Sequence, residues 1–563
     1  MKTKQIVQSI FLFTLVCSQL LAQQEAVPAG EDPAPGSFQV PESYVDRVRR
    51  EGTILTLALR DVMRLALTNN LEIAIEEFNE DLNRERNTIA RGFYDPVLSF
   101  SVGLESSDSP STSILTAGSG VATFSRDAFT WSNSLQQNIR GGGSFSLNFN
   151  NSRNMSNNTF STINPQFGSD FNVNFIQPLW RGFRQTSTER ELKLVNLDSE
   201  ITESQFKQRV SEIVQQVQNQ YWELVYAIED HETRRQSMEL AIVQYLNNRQ
   251  RVQIGVLAPI EVTSAQAEVS TREQEMIQAE VQIVNAQNAL KQLLAPDPSH
   301  SIWNLSLIPT DPPEPQEVQI GMEEAIQTAL ARRPELEQMR LELEKNEVDQ
   351  EYFNQAGKPM VNVRANFGST GRSGVVFKTV AIDFDGDGIP DRQQRVPDPD
   401  NPSFGNLAGA VGQALGYDFI NWGIFADIEF PLFNRSSEGQ LAQVRISQAR
   451  LLSQMKNQQQ MIIVDVRNAY ESLAIQVKRL EAARVARRLS EEQLDGENKR
   501  FEAGLSTNFE VLRFQRDLAQ AIGQELRAQV DFQQALTALR KAMYTIVDDN
   551  DIILAKQRET EGN

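Results

Sequence analysis

The chain has 563 residues, a formal net charge of −20, two histidines and one cysteine. So acidic a chain is a poor partner for nucleic acid, because the phosphate backbone requires a basic surface. Most catalytic sites use histidine, cysteine or clustered metal ligands, so the composition also argues against an enzyme.

The first 22 residues are predicted to be a signal peptide. Two lysines precede an apolar stretch over 6–21, and Leu20-Leu21-Ala22 is typical of a signal peptidase site. Cys17 lies inside this stretch; its lipidation is the alternative, which Val16 directly before it disfavours. We expect a mature chain that starts near Gln23 and has no thiol and no disulfide.

After this segment, no apolar run reaches the roughly 18 residues that a membrane helix requires. The sequence therefore predicts an exported protein of a double-membraned bacterium without a transmembrane helix. Periplasm, outer membrane and cell exterior stay open at this point.

The chain contains an internal duplication, since residues 210–295 align without a gap on residues 459–544. Tyr221, for example, falls on Tyr470. The predicted boundaries are a signal peptide at 1–22, a flexible N-terminal segment at 23–52, a first repeat at 53–295, a Pro-rich linker at 296–318, a second repeat at 319–545 and a C-terminal tail at 546–563.

In each copy the first predicted element is a helix, over 57–91 and 320–355. These helices end before Asp95-Pro96 and Gly357-Lys358-Pro359, which are stop signals for a helix. Strands follow, because apolar and polar residues then alternate with the period of two that is typical of membrane barrel strands. The alternating sets run from Leu98 to Leu104, from Phe171 to Phe175, from Val361 to Phe367 and from Trp422 to Phe430.

Copy one has an additional apparent hairpin, with segments 129–139 and 144–150 on either side of Gly141-Gly142-Gly143. Two interpretations stay open: the hairpin extends the outer loops, or it lengthens the barrel strands. Without it the chain offers four membrane-length strands, too few to close a barrel. Lipid offers no partner for the backbone groups at the two edges of such a sheet, so the pattern predicts an obligate oligomer.

Very long helices are predicted over 187–250 and 438–500, because apolar residues recur there at spacings of three and four. Each helix ends at a glycine, Gly255 or Gly504, a common helix stop. Return helices are predicted over 260–294 and 507–544. The predicted fold class is mainly α with a β-barrel portion, built from a duplicated unit of long coiled-coil helical hairpins plus four membrane strands.

An acidic segment between the two strands of copy two has the spacing of a calcium loop. Its carboxylates occupy loop positions 1, 3, 5 and 9, and a glycine occupies position 6. Position 12 is Gln394 instead of the glutamate of an EF-hand, so the pattern is closer to thrombospondin type 3 calcium repeats. The predicted ligands are Asp383, Asp385, Asp387 and Asp391. A bound calcium would be structural, and a solvated acidic loop is the alternative; no cofactor is otherwise expected.

The other informative segments are LTLALRDVMRLALTNNLEIA at 55–74, QPLWRGF at 177–183, RVQIGVLAPIEV at 251–262, EFPLFNRSSEG at 429–439 and RFEAGLSTNFEVL at 500–512. Their order, spacing and duplication together resemble the TolC-type outer-membrane efflux proteins over nearly the whole mature chain. The resemblance implies a homotrimer that builds a 12-stranded β-barrel in outer-membrane lipid and an α-helical barrel in the periplasm. It also implies a periplasmic adaptor, an inner-membrane pump and no catalytic residues.

By the same resemblance, the turns between the long helices form an apolar tip that contacts the adaptor. The matching residues are Ile254, Gly255, Val256 and Leu257 in copy one, and Ala503, Gly504 and Leu505 in copy two. An exposed apolar turn at the end of polar helices is itself typical of a contact surface. A plain helix-turn-helix corner is the alternative.

The resemblance also implies an acidic ring that constricts the tunnel. Glu510 matches that position, and Glu261 is its repeat counterpart. Family members have a second acidic position three residues later, where this chain has Arg513, so an intersubunit Glu–Arg pair is an option here. Converging carboxylates in a narrow pore would repel one another and favour cations. Solvated helix flanks are the alternative.

The sequence thus predicts a passive outer-membrane exit duct of an efflux or type I secretion system that extends into the periplasm. The alternatives are a periplasm-spanning scaffold or adhesin without a pore, and a secreted hydrolase. The transported substrate stays undetermined, because its choice depends largely on the pump.

Overall fold

A computed structural model describes residues 38, 40–52, 54–110, 123–313, 320–382 and 392–550. The predicted signal peptide and the 383–391 loop lie outside these residues. The helices are α1 (Tyr44–Glu51), α2 (Leu59–Asn69), α3 (Leu71–Arg91), α4 (Ser187–Gln253), α5 (Ile260–Leu294), α6 (Met322–Arg332), α7 (Pro334–Ala356), α8 (Leu407–Leu415), α9 (Arg435–Glu502) and α10 (Asn508–Ala542). The strands are β1 (Ile54–Leu57), β2 (Val97–Pro110), β3 (Thr123–Asn138), β4 (Ser144–Ser156), β5 (Ile163–Pro178), β6 (Ser306–Pro309), β7 (Met360–Ile382), β8 (Arg392–Pro397) and β9 (Ile420–Glu429).

The chain forms two compact units, and each takes segments from both sequence repeats. The first holds residues up to 69 together with 215–318 and 471–538. The second holds 70–214, 319–470 and the residues from 539 onward. The sequence duplication therefore does not coincide with the compact units.

The second unit contains an antiparallel sheet in the order β2-β3-β4-β5-β7-β9, with β8 paired to the far end of β7. The prediction of four long strands is therefore wrong: β3 and β4, the apparent hairpin of copy one, add two strands between β2 and β5. Asn133 and Asn151 interrupt the apolar alternation on these strands, which weakens their sequence signal.

The helix predicted at the start of each copy is divided into two. Asn70 separates α2 from α3, because its side chain accepts hydrogen bonds from the backbone N–H groups of Glu72 and Ile73, at 2.8 and 3.3 Å. This is the N-cap of a new helix. In copy two, Pro334 is the first residue of α7, where proline is favoured because it lacks the N–H that would remain unpaired.

Parts of the predicted flexible segment and of the predicted linker are ordered elements of the first unit. Helix α1 falls within 23–52, and its Tyr44 and Val48 side chains are buried. Strand β6, from the 296–318 segment, pairs in parallel with β1 over four residues. The expectation of flexibility is therefore wrong for 44–51, because apolar residues of α1 are buried against the unit.

The long helices confirm the prediction from coiled-coil spacing. Helix α4 has 67 residues and α9 has 68, so each is on the order of 100 Å long. The return helices α5 and α10 have 35 residues each. None of the helices in the described ranges combines the length and apolar character needed to cross a membrane.

Tyr221 on α4 fixes the start of the first repeat to the segment between the repeats. Its hydroxyl donates to the Asp311 carboxylate at 2.7 Å and accepts from the backbone N–H groups of Thr310 and Asp311, both at 3.2 Å. It also lies 3.3 Å from the Leu57 carbonyl oxygen. Burial, reinforced by the Asp311 carboxylate, raises the pKa of Tyr221, so the phenol remains a neutral donor.

The variant Tyr221→Phe is expected to destabilise the protein by about 1–3 kcal/mol, because it leaves buried polar partners without their hydroxyl. Urea unfolding of the purified protein measures this change. The repeat counterpart Tyr470 is only half-buried, so Tyr470→Phe is the matched control and is expected to change stability by less than about 0.5 kcal/mol. Equal effects of the two substitutions would contradict this role of Tyr221.

Candidate functional site: the turns at 253–260 and 502–508

Two glycine turns in the first unit connect the long helices to their return helices. Gly255 and Gly504 have φ angles of 76° and 73°, the left-handed conformation that ends many helices. After Gly255, the Val256 N–H donates to the Arg251 carbonyl at 2.9 Å; after Gly504, the Leu505 N–H donates to the Arg500 carbonyl at 2.8 Å.

Each turn also has a second hydrogen bond, donated by the glycine itself, and it is equivalent in the two turns. Gly255 donates to the Val252 carbonyl at 3.0 Å, and Gly504 donates to the Phe501 carbonyl at 3.1 Å. This pair of bonds is the Schellman motif, which provides partners for carbonyls that would otherwise be unpaired at a helix end. The internal repeat therefore preserves the turn geometry bond for bond.

Most of the predicted apolar tip is exposed. Ile254 and Val256 are 73% and 70% exposed in the first turn, and Leu505 is 72% exposed in the second. Gly255, Ala503 and Gly504 are exposed as well, whereas Leu257 is half-buried. Sequence reasoning missed Ile260 and Phe509, which are 64% and 69% exposed in the first turns of the return helices. Their position directly beside the glycine turns was the available signal.

The two turns lie next to each other. The Arg251 guanidinium carbon lies 4.6 Å from the centre of the Phe501 ring. The Asn508 side-chain amide donates to Glu261 at 3.4 Å and accepts a hydrogen bond from the Gln244 amide. A single apolar patch with contributions from both repeats, here called the tip patch (Ile254, Val256, Ile260, Leu505 and Phe509), is therefore presented at this end of the first unit.

Behind the tip patch lies a buried polar cluster that the sequence did not reveal. Glu497 is buried and accepts hydrogen bonds from the Ser506 hydroxyl and from Arg500, the latter at 3.1 Å. Asn248, its counterpart in the first repeat, is fully buried and accepts from Gln244 at 3.3 Å. Polar residues at the same apolar-seam position in both copies were the available signal. These bonds hold the second turn against its own helix.

The predicted constriction residues are only partly brought together. Arg513 and Glu510 form an ion pair at 3.2 Å within α10, and Asp517 lies 4.0 Å from Arg513. A Glu–Arg contact thus forms within one helix, and the pair between subunits stays a prediction. Glu261 is bonded to Asn508 instead of to either of these residues. The pair is half-exposed, so its charges are largely screened by solvent.

The predicted calcium ligands lie outside the described residues. The flanking strands β7 and β8 pair from Phe377↔Pro397 to Ile382↔Arg392, so the two described residues next to the 383–391 segment are strand partners. In the described part of the chain, His, Cys, Asp and Glu form no group of three or more that could hold a metal ion.

Comparison with known proteins identifies one family. The family model for the outer membrane efflux protein matches residues 62–295 and 325–543, which is one match in each sequence repeat. A comparison with curated proteins gives no match.

Several solved structures share the fold. The chain is similar to a membrane protein from Pseudomonas aeruginosa, with 16% identity and a TM-score of 0.59, over 90% of this chain and 99% of that one. It is similar to the outer-membrane channel OprN, with 15% identity and a TM-score of 0.57, over 90% and 94% of the chains. The Campylobacter jejuni CmeC outer membrane channel matches with 12% identity and a TM-score of 0.57, over 89% and 90%.

The variant Gly504→Ala is expected to destabilise the second turn by about 1–2 kcal/mol, because alanine resists the left-handed conformation. No atom lies within 4 Å of the added methyl group, so the effect is purely conformational. Hydrogen–deuterium exchange over residues 500–512 measures it as faster exchange.

The matched control is Gly496→Ala, since this glycine lies inside α9 and also has open space for a methyl group. There alanine is expected to stabilise the helix by about 0.5–1 kcal/mol and to slow local exchange. Changes of the same sign in both variants would contradict the assignment of the turn.

Proposed function

Because the chain belongs to the outer membrane efflux protein family, we propose that it is the exit duct of a multi-component efflux or type I secretion system. It is an outer-membrane channel protein that reaches into the periplasm. In the proposed role it conducts passively, as a homotrimer, and receives substrates from an inner-membrane pump through a periplasmic adaptor.

The observation that best supports the proposal is that the sheet has two edges without a partner strand in the described chain. Strands β2 and β9 form its two edges, and each pairs on one side only within the described chain. In lipid, an unpaired edge leaves backbone N–H and C=O groups without partners, at several kcal/mol each. Additional copies of the chain would provide those partners and close a pore.

The tip patch is the proposed adaptor contact. The large apolar side chains of the tip patch are exposed together at the end of polar helices. Exposed apolar patches of this kind are typical of contact surfaces, which supports a docking role. Arg251, which is half-buried, and Arg500, which is exposed, lie beside the patch and provide a basic rim.

Glu261, Glu510 and Arg513 are the proposed constriction. The intrahelical ion pair partly neutralises Glu510, so each copy adds a weaker negative charge to the pore than two acidic residues would. The proposed constriction therefore favours cations only moderately.

The acidic 383–391 loop is proposed to bind one structural calcium ion through Asp383, Asp385, Asp387 and Asp391. The pairing of β7 with β8 supports this, because it brings together Ile382 and Arg392, the residues that flank the segment. Isothermal titration calorimetry tests it with calcium and the whole protein, and with a variant that has Asp385→Asn and Asp387→Asn. Absence of binding to the unsubstituted protein would contradict it.

The alternative function is a scaffold or adhesin without a pore. Planar-bilayer recording with the purified protein separates the two functions. The proposed duct shows discrete single-channel conductance steps, whereas a scaffold shows none.

The double variant Ile254→Ser and Leu505→Ser is expected to abolish transport while it leaves single-channel conductance unchanged, because it removes apolar contact area without altering the pore. Transport is measured by complementing a deletion strain of the native host and testing its growth on a panel of toxic compounds. Val380→Ser, at an exposed apolar residue of strand β7 in the second unit, is the control. Full complementation by the double variant would contradict the contact role.

Opposite changes in ion selectivity are expected from neutralising the two members of the ion pair. Glu510→Gln removes negative charge and lowers the cation preference, whereas Arg513→Gln releases Glu510 and raises it. Reversal potentials in asymmetric salt measure both changes. Wild-type selectivity in both variants would show that these charges are solvated helix flanks and not a constriction.

A further inference from the structure

The β3–β4 hairpin of copy one is a full-length part of the sheet. It pairs with β2 from Val97↔Gln136 to Pro110↔Thr123. On its other side it pairs with β5 from Ser144↔Ile176 to Asn154↔Gln166. The hairpin thus lies between two of the expected strands, β2 and β5, and extends along the sheet as far as they do.

The turn of this hairpin lies at the end of the sheet where the strands join the helices. The Gly141 carbonyl accepts hydrogen bonds from the Arg184 N–H at 3.3 Å and the Gln177 amide at 3.2 Å, just before α4. The Asn138 amide donates to the Phe93 carbonyl at 3.1 Å, just after α3. In an outer-membrane barrel, short turns at this end face the periplasm. The hairpin therefore does not belong to the outer loops.

The hairpin also continues the two-faced pattern of the sheet. Residues that lie directly opposite each other on neighbouring strands project from the same face. One such row across the sheet is entirely apolar: Leu98, Leu135, Leu147, Val173, Phe367 and Trp422. The adjacent row, one residue along, has only polar residues and glycine: Ser99, Ser134, Asn148, Asn172, Gly368 and Asn421.

The next row on the polar face is similar, with Ser101, Ser132, Asn150, Asp170 and Thr370. An apolar face and a polar face are the lipid-facing and lumen-facing sides of a membrane barrel. β3 and β4 thus contribute residues to both faces, as β5 does; on β5 and β7, helix α8 packs against part of the face that holds the apolar row.

We propose that each copy contributes six strands to the outer-membrane wall, so that three copies form an eighteen-stranded barrel in place of the twelve that the family resemblance implies. The number of copies rests on the proposed homotrimer. The six strands per copy rest on the register alone.

The two sheet edges fit a second copy of this chain. Along the sheet the strands alternate in direction, so β2 of one copy runs antiparallel to β9 of the next. Their apolar side chains are strongly exposed: Leu104 on β2 is 83% exposed, and Trp422 on β9 is 71% exposed. Pairing of these edges continues the apolar face around the ring and leaves no open edge.

A wider outlet follows from this count. Barrel diameter grows roughly in proportion to strand number, so eighteen strands give about 1.5 times the diameter of twelve. Barrels of 16–18 strands leave an open aqueous channel. In this protein the narrowest passage would then lie at the helical turns, and the membrane wall would not limit cargo size.

Cysteine accessibility tests the proposal, because the chain's only natural cysteine, Cys17, lies in the predicted signal peptide. The test pairs are Ser134→Cys with Leu135→Cys on β3, and Asn148→Cys with Leu147→Cys on β4. The reference pair is Asn172→Cys with Val173→Cys on β5. Each variant is assembled in outer membranes and treated with a water-soluble maleimide.

The proposal predicts that the polar-face cysteines label several-fold faster than their apolar-face neighbours on all three strands. Equal labelling on β3 and β4, with alternation retained on β5, would overturn the six-strand wall and leave the channel function intact. A lack of alternation on β5 together with an absence of conductance would overturn the channel function as well.

A strand count on the wild-type protein does not depend on variant folding. Cryo-electron microscopy of the purified complex in lipid nanodiscs is expected to show eighteen strands. A barrel of twelve strands would overturn the proposal.

Discussion

The constraint on which this structure depends is that backbone hydrogen-bonding groups must be paired inside a lipid bilayer. A single chain supplies a sheet from β2 to β9 whose interior strands have neighbouring strands on both sides and whose edge strands have one neighbour each. The apolar face of that sheet suits lipid, but the edges do not. In the proposed homotrimer, copies of the chain share these edges and thereby complete the outer-membrane part of the channel.

The helical part is subject to a different constraint. Two very long helices, α4 and α9, must each reverse direction once, and they do so with the same turn geometry. Glycine at 255 and 504 adopts the left-handed conformation, and the same carbonyl partners are used in both turns. The turns leave the apolar tip patch exposed, while Glu497 and Asn248 are buried behind it. A rigid end with an apolar surface is what docking to a partner requires.

Much of this could be predicted from sequence, and the misses have physical reasons. Alternating spacings of three and four over 187–250 can hardly form anything but a long helix, and that prediction is confirmed. The N-cap at Asn70 was missed because apolar periodicity continues across it. The corresponding break in copy two was also missed, although Pro334 at the start of α7 was a visible signal for it. The sequence left the placement of the β3–β4 hairpin undecided, because its strands contain polar residues such as Asn133. Only the strand register shows that these residues lie within a continuous sheet. The contact of Glu261 with Asn508 joins segments that are distant in sequence, which no local pattern encodes.

The most direct test of the central claim is the mass of the assembled protein in lipid. Native mass spectrometry of the complex released from nanodiscs is expected to give three copies of the mature chain, with no monomer inserted in the bilayer. A stable single copy spanning the membrane would mean that the sheet edges find partners within one chain, and it would contradict the account.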